Sequence, residues 1–186
     1  SADTLNTNCE NTTIAMTYDI TNDKMYGFVR DYIDTWLVEI NPKNGQMKRL
    51  SSQAMHYKRR YVAIACDHLG TLFAIYMTED YITGDQKHYL CRINKETGAI
   101  ADIGEIQVAN MFPEDILVNM KYEQTMFFNH NTKKMYWLMC SSSMALGGQY
   151  TPMFEIDLVN CRATLLTYLE NVFAISGTYF NEPKIK

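Results

Sequence analysis

The sequence predicts an all-β chain built from repeated four-stranded antiparallel units. Three observations predict it. The composition favours strands: of 186 residues 12% are aromatic, led by 13 Tyr, and β-branched and aromatic side chains suit a pleated, half-buried surface. Short alternating runs are punctuated throughout by Asn, Asp and Gly turn signals. Above all, one layout recurs, a strand ending in Asn or Asp followed by a tight turn: Leu37 to Gln46, Leu90 to Ala99, and Met153 to Arg162. Repetition at a fixed period outranks any single motif as evidence of architecture.

Residues 1–12 form a polar, aperiodic arm. At its end Asn11-Thr12-Thr13 spells a glycosylation sequon, which has meaning only in a eukaryotic secretory setting. The opening Ser1-Ala2-Asp3-Thr4, without an initiator Met, reads as a trimmed end. The first unit, 13–52, has strands over Thr13–Tyr18, Met25–Val29, Trp36–Ile40 and Met47–Leu50, the last two joined at Asn44-Gly45. A second unit, 60–107, repeats this with Tyr61–Cys66, Thr71–Tyr76, Tyr89–Ile93 and Ile100–Ile106, and has a longer polar link from Thr78 to His88. Between Val108 and Glu123 the rhythm breaks, with a short helical turn expected around Pro113-Glu114-Asp115. The third unit, 124–169, runs through Thr125–Phe128, Met135–Met139, Met153–Ile156 and Ala163–Tyr168. Val172 to Tyr179 opens a fourth (172–180), and 181–186 is a tail.

Overlaying the units aligns Asp19, Asp67 and Asn129 at the end of each first strand. Tyr26, Phe73 and Tyr136 fall together on the second, and Ile40, Ile93 and Ile156 close the third. Gly45, Gly98 and Cys161 share one offset in the hairpin. Val38, Cys91 and Phe154 lie on the face of the three Ile residues, with Glu39, Arg92 and Glu155 on the other, the period-2 signature of a strand. Four-stranded units at a period of roughly 45 to 60 residues are β-propeller blades.

The residues Met16-Thr17-Tyr18-Asp19 with Met25-Tyr26-Gly27, Leu90 to Gly98, and Met135-Tyr136-Trp137 with Phe154-Glu155-Ile156-Asp157 carry a resemblance. From Thr13 to about Phe180 the chain resembles the secreted or surface-attached propeller repeat proteins of Bacteroidetes-type bacteria. The resemblance implies a propeller and an extracytoplasmic location. It implies no particular activity, because such motifs set the fold. Three blades and a first strand fall short of the four to eight that close a ring. Further blades in a longer protein, a second chain completing the ring, and an open arc are three ways to resolve this, and similar proteins carry additional blades.

Composition narrows the partners. A net charge of −4 gives no electrostatic case for nucleic acid or an anionic membrane, and no apolar stretch approaches the length of a membrane helix. The basic cluster Lys58-Arg59-Arg60 reads as a solvated loop. Five cysteines show neither paired nor metal-ligand spacing, so no disulfide framework, metal or cofactor is expected. Cys66, Cys91 and Cys140 read as small buried hydrophobes. His68 and His130 fall in equivalent turns and read as turn residues. Trp36, Trp137 and the Met-rich strands are expected to fill the space between blades.

Candidate binding residues come from the links between second and third strands. Tyr26 to Leu37 is short; Phe73 to Leu90 and Tyr136 to Phe154 are six and seven residues longer. Extra length in equivalent loops on a rigid scaffold points to binding. The residues singled out are Tyr32, Asp34, Asp80, Tyr81, Asp85 and Tyr150, since Tyr beside acids suits sugar or peptide recognition. The competing reading is of ordinary solvated loops. Asp80 and Asp85 lack the spacing of a catalytic pair or a Ca²⁺ loop. The expected function is a non-catalytic extracytoplasmic module that binds glycan, peptide or a partner protein through this face. The alternative is part of a propeller lyase or hydrolase completed by other blades. Ala15, Thr17, Ala63, Ala65, Met126 and Phe128 in the first strands speak for packing there.

Overall fold

The computed structural model describes residues 11–31, 34–51, 55, 58–109, 120–143 and 148–170. Among them every regular element is a strand. The first sheet contains β1 (Asn11–Asp19), β2 (Lys24–Asp31), β3 (Asp34–Ile40) and β4 (Met47–Arg49), paired antiparallel in chain order. β5 (Arg60–Cys66), β6 (Leu72–Glu79), β7 (Gln86–Ile93) and β8 (Ile100–Glu105) repeat that meander. The third sheet has β10 (Met120–Asn129), β11 (Lys134–Ser143), β12 (Gly148–Asp157) and β13 (Arg162–Glu170). β5 lies against both β1 and β10, so the sheets radiate from their first strands. The fold is all-β and β-propeller-like, an unclosed set of blades.

Two departures from the sequence expectation stand out. Val108 does not break the strand pattern: β9 (Gln107–Ala109) pairs in parallel with β13 and adds a fifth strand to the edge of the third sheet. Thr78 to His88 is not a long link, because β6 and β7 both continue into it and leave a tight turn at Asp80–Asp85. Of the arm expected over 1–12, Asn11 and Thr12 belong to β1, paired with Asp31 and Arg30. Residues 1–10, the expected helical turn near Pro113 and the strand at 172–180 lie outside the described residues.

Period-2 alternation sorts the core into interfaces. On β6, Leu72, Ala74 and Tyr76 join Tyr26, Phe28 and Leu37 of the first sheet, with Cys91 and Ile93 of β7. Phe73, Ile75 and Met77 point the other way, with Leu90, and meet Met126, Phe128, Met135, Trp137, Phe154 and Ile156 of the third sheet. Both faces of the second sheet are therefore apolar and buried, as its near-continuous hydrophobic strands require. The three aligned Ile residues do equivalent work. Ile93 and Ile156 each pack on the preceding sheet, and Ile40 forms a cluster with Val29 and Val38 on the far side of the first sheet. Trp137 fills space between sheets as expected. Trp36 does not: it packs against that far-side cluster, with the Arg49 guanidinium 4.2 Å above its ring.

The turns explain the repeat chemically. Asp67 Oδ1 accepts from the backbone N–H of Leu69 and Thr71, and Asn129 Oδ1 from those of Asn131 and Thr132. Asp19 accepts from the N–H and hydroxyl of Thr21. Carboxylate and amide oxygens thus substitute for backbone acceptors in the turn. Asp19 also bridges sheets, with Lys95 Nζ 2.6 Å from Oδ2. Burial pushes the Asp19 carboxyl up, but the bonds from Lys95 and Thr21 outweigh it and hold its pKa below the ordinary value. Stability from this group is complete above the unfolded value of 3.8 and is lost as pH falls through the lower native value. Asp19→Ala should cost about 2 kcal/mol, less than a fully buried pair, because partly exposed Lys95 can return to water. Urea unfolding at pH 7 measures it; an unchanged midpoint would refute the coupling.

Arg59 and Arg60 of the basic cluster are fixed rather than solvated. Arg59 makes two bonds of 2.9 Å to the Asp102 carboxylate, with its guanidinium 4.6 Å from the Tyr76 ring centre. Arg60 pairs with Glu79 at 3.3 Å.

Candidate functional site

In a meander, successive turns fall at alternate ends of the sheet. The β2–β3, β6–β7 and β11–β12 turns therefore share one end, and the Asp19, Asp67 and Asn129 turns share the other. The candidate residues at the first end separate. Tyr32 lies outside the described residues, and Tyr150 is described only as β12 backbone, paired with Ser141 and Glu170. Asp34 opens β3, half-buried, opposite Asp31. Asp80, Tyr81 and Asp85 share one turn.

That turn has a defined construction. The Asp80 N–H donates to Asp85 O at 2.9 Å and Gly84 N–H to Asp80 O at 2.7 Å. Asp80 Oδ1 accepts from the N–H of Ile82 and Thr83, which holds its carboxyl below the usual carboxylate range. The Thr83 hydroxyl donates to Asp85 Oδ2. Gly84 has φ +76°, the left-handed conformation that a glycine adopts without strain. Both acids are engaged in shaping the turn. What it presents is Tyr81 and Ile82, 80% and 95% exposed at the tip. Asp80 to Gly84 repeats the Asx-x-x-Thr-Gly spelling of Asn94 to Gly98, a signal already in the sequence.

At the opposite end a cleft of about 290 Å³ opens among the first strands. Met16, Thr17 and Tyr18 of β1, Thr125 to Phe128 of β10, and His130 are among the residues that line it. Met16 and Tyr18 are 55% and 43% exposed. The Tyr18 hydroxyl donates to Asp23, which raises its pKa. Phe128 stacks on His68 (5.4 Å, 11°) and meets His130 edge-on (5.1 Å, 77°). Burial lowers the His130 pKa, as does the neighbouring His68, against an opposing effect of Asp67. The two histidines thus pack around one ring. The cleft is mainly apolar and aromatic, suited to holding a ring or aliphatic group rather than to proton transfer. Of the first-strand residues that the sequence marked for packing, Thr17, Met126 and Phe128 line this cleft; sequence reasoning missed their alternate neighbours Met16, Tyr18, Thr125 and Phe127.

No helix among the described residues is long and apolar enough to cross a membrane. No protein-family model matches the chain, and neither does any curated protein. Among solved structures the chain is similar to a candidate 6-phosphogluconolactonase from Bacteroides uniformis: 14% identity, TM-score 0.46, covering 88% of this chain and 43% of that one. It is also similar to a chain of a nidogen/laminin complex, at 10% identity and TM-score 0.36, covering 87% of this chain and 81% of that one. The chain thus spans less than half the length of the first of these, and both likenesses are too distant to bear on activity.

Proposed function

We propose that this chain is a non-catalytic binding or scaffold module of a bacterial extracytoplasmic protein, secreted, periplasmic or at the cell surface. It engages a glycan, a peptide or a partner protein through the end of the sheets that bears the β6–β7 turn. The observation that supports this most is the tip of that turn. A large aromatic and an aliphatic side chain stand in solvent on a backbone locked by hydrogen bonds. Pre-organisation of this kind lowers the entropy lost on binding, and Tyr offers a ring face with a polar end.

Glycan and peptide arrays probed with the wild-type chain, followed by Tyr81→Ala, test the reading. Retention on the best ligand should fall about tenfold, as for an aromatic residue central to an interface. The melting temperature should stay where it is, because the side chain touches little of the protein. Undiminished retention would remove the β6–β7 turn from the binding surface.

A further inference from the structure

Three polar side chains are buried where the second and third sheets meet. Trp137 of β11 is fully buried, and His88 of β7 and Gln124 of β10 are 5% and 8% exposed. Trp137 Nε1 donates to Gln124 Oε1 at 3.0 Å. Gln124 Nε2 lies 3.0 Å from His88 Nε2, and the imidazole rests against the indole with centroids 5.0 Å apart.

The chemistry gives this chain of bonds a direction. An indole N–H can only donate, so Gln124 must turn its oxygen to Trp137 and its NH₂ to His88. His88 Nε2 must then accept, which makes the ring neutral with its proton on Nδ1. A proton added at Nε2 would set two donors against each other at hydrogen-bond distance. Flipping the amide gives no relief, since its NH₂ would then face the indole N–H. Trp137 fixes the polarity of all three groups.

We propose that His88, Gln124 and Trp137 form an acid-sensitive joint, which holds the second and third sheets together while His88 is neutral and loosens when it is protonated. The described charged groups on the neighbouring elements do not oppose this. Arg60 of β5 pairs with Glu79 of β6, Lys87 of β7 pairs with Glu105 of β8, and Arg92 of β7 lies over Phe73. His68 and His130 sit in the turns at the opposite end. Across the strands His88 faces Met77 and Gln124 faces Met139. Burial pushes the imidazole pKa down to about 4 from an ordinary 6.5. Between those values the unfolded chain binds more protons than the folded one. The joint is therefore complete above pH 6.5 and is lost as pH falls towards 4. This inference does not depend on the binding role proposed for Tyr81.

The test uses the whole chain. An NMR titration of the His88 ring, assigned by its absence in His88→Gln, should give a pKa more than one unit below ordinary histidine. His88→Gln keeps a side-chain acceptor for Gln124 and cannot titrate in this range. Between pH 7 and pH 5 the wild-type folding equilibrium constant should fall about twentyfold relative to this variant. In a Trp36→Phe background, where Trp137 is the remaining tryptophan, indole fluorescence should change over the same interval in the wild-type joint and stay flat with Gln at 88. An ordinary His88 pKa, or equal acid loss in both proteins, would overturn the proposal. Should the variant fail to fold at pH 7, the wild-type pKa decides alone.

Discussion

Trp137→Ala is expected to destabilise the protein by about 3–5 kcal/mol, the range for deleting a large buried aromatic. The indole is fully buried, packs 5.4 Å from Phe154 between ring centres, and donates the bond to Gln124 Oε1. Its loss would open a cavity among Met126, Met135 and Met139, which can close it only in part. Against a typical total of about 5–15 kcal/mol, the variant would sit near the edge of folding. Denaturant unfolding followed by circular dichroism gives the number. A cost under about 1 kcal/mol would mean that the second and third sheets do not depend on this side chain.

Gly98→Ala should cost about 3 kcal/mol, for two separable reasons. Gly98 has φ +70°, where an L side chain is strained by about 1–2 kcal/mol. A Cβ there would also come within 2.5 Å of Ser51 Cβ and 3.0 Å of its Cα, atoms that no rotamer change can clear. Gly45 supplies the control. It has nearly the same φ, +71°, yet a Cβ would meet nothing within 4 Å. Gly45→Ala should therefore lose only the strain, and the difference between the two unfolding free energies measures the contact with Ser51. Equal losses would show that the contact carries no weight. The third copy has already accepted the strain: Cys161 stands at φ 52° in this position, its side chain buried between sheets.

The blades were legible because their chemistry is local. Asp67 and Asn129 bind the backbone two residues ahead, and Asn94 does the same in its hairpin, so residue type and turn geometry coincide. Alternation along Leu72 to Met77 likewise announces a strand with two buried faces. Other features depend on distant partners. Gln107-Val108-Ala109 is too short to show a period, and its register is set by Arg162 to Thr164. The turn at Asp80 to Gly84 was readable in itself, but its place between second and third strands disguised it as an insertion. Thr17, Met126 and Phe128 were named from sequence as first-strand packing residues, but the cleft they line arises where β1 and β10 come near each other, which no local pattern carries. Tyr81 was named from sequence as a loop residue and stands exposed, whereas the bonding that occupies Asp80 and Asp85 depends on backbone groups that the turn brings round.

β9 has a consequence for the order of assembly. Its residues leave the ribosome about 55 positions before their partners on β13, so they wait unpaired until the last described strand is made. Pairing β9 with β13 is thus a long-range step that follows synthesis of the whole third sheet. It also closes the outer edge of that sheet over Arg162 to Thr164, the row of backbone groups that would otherwise offer a template to a neighbouring nascent chain.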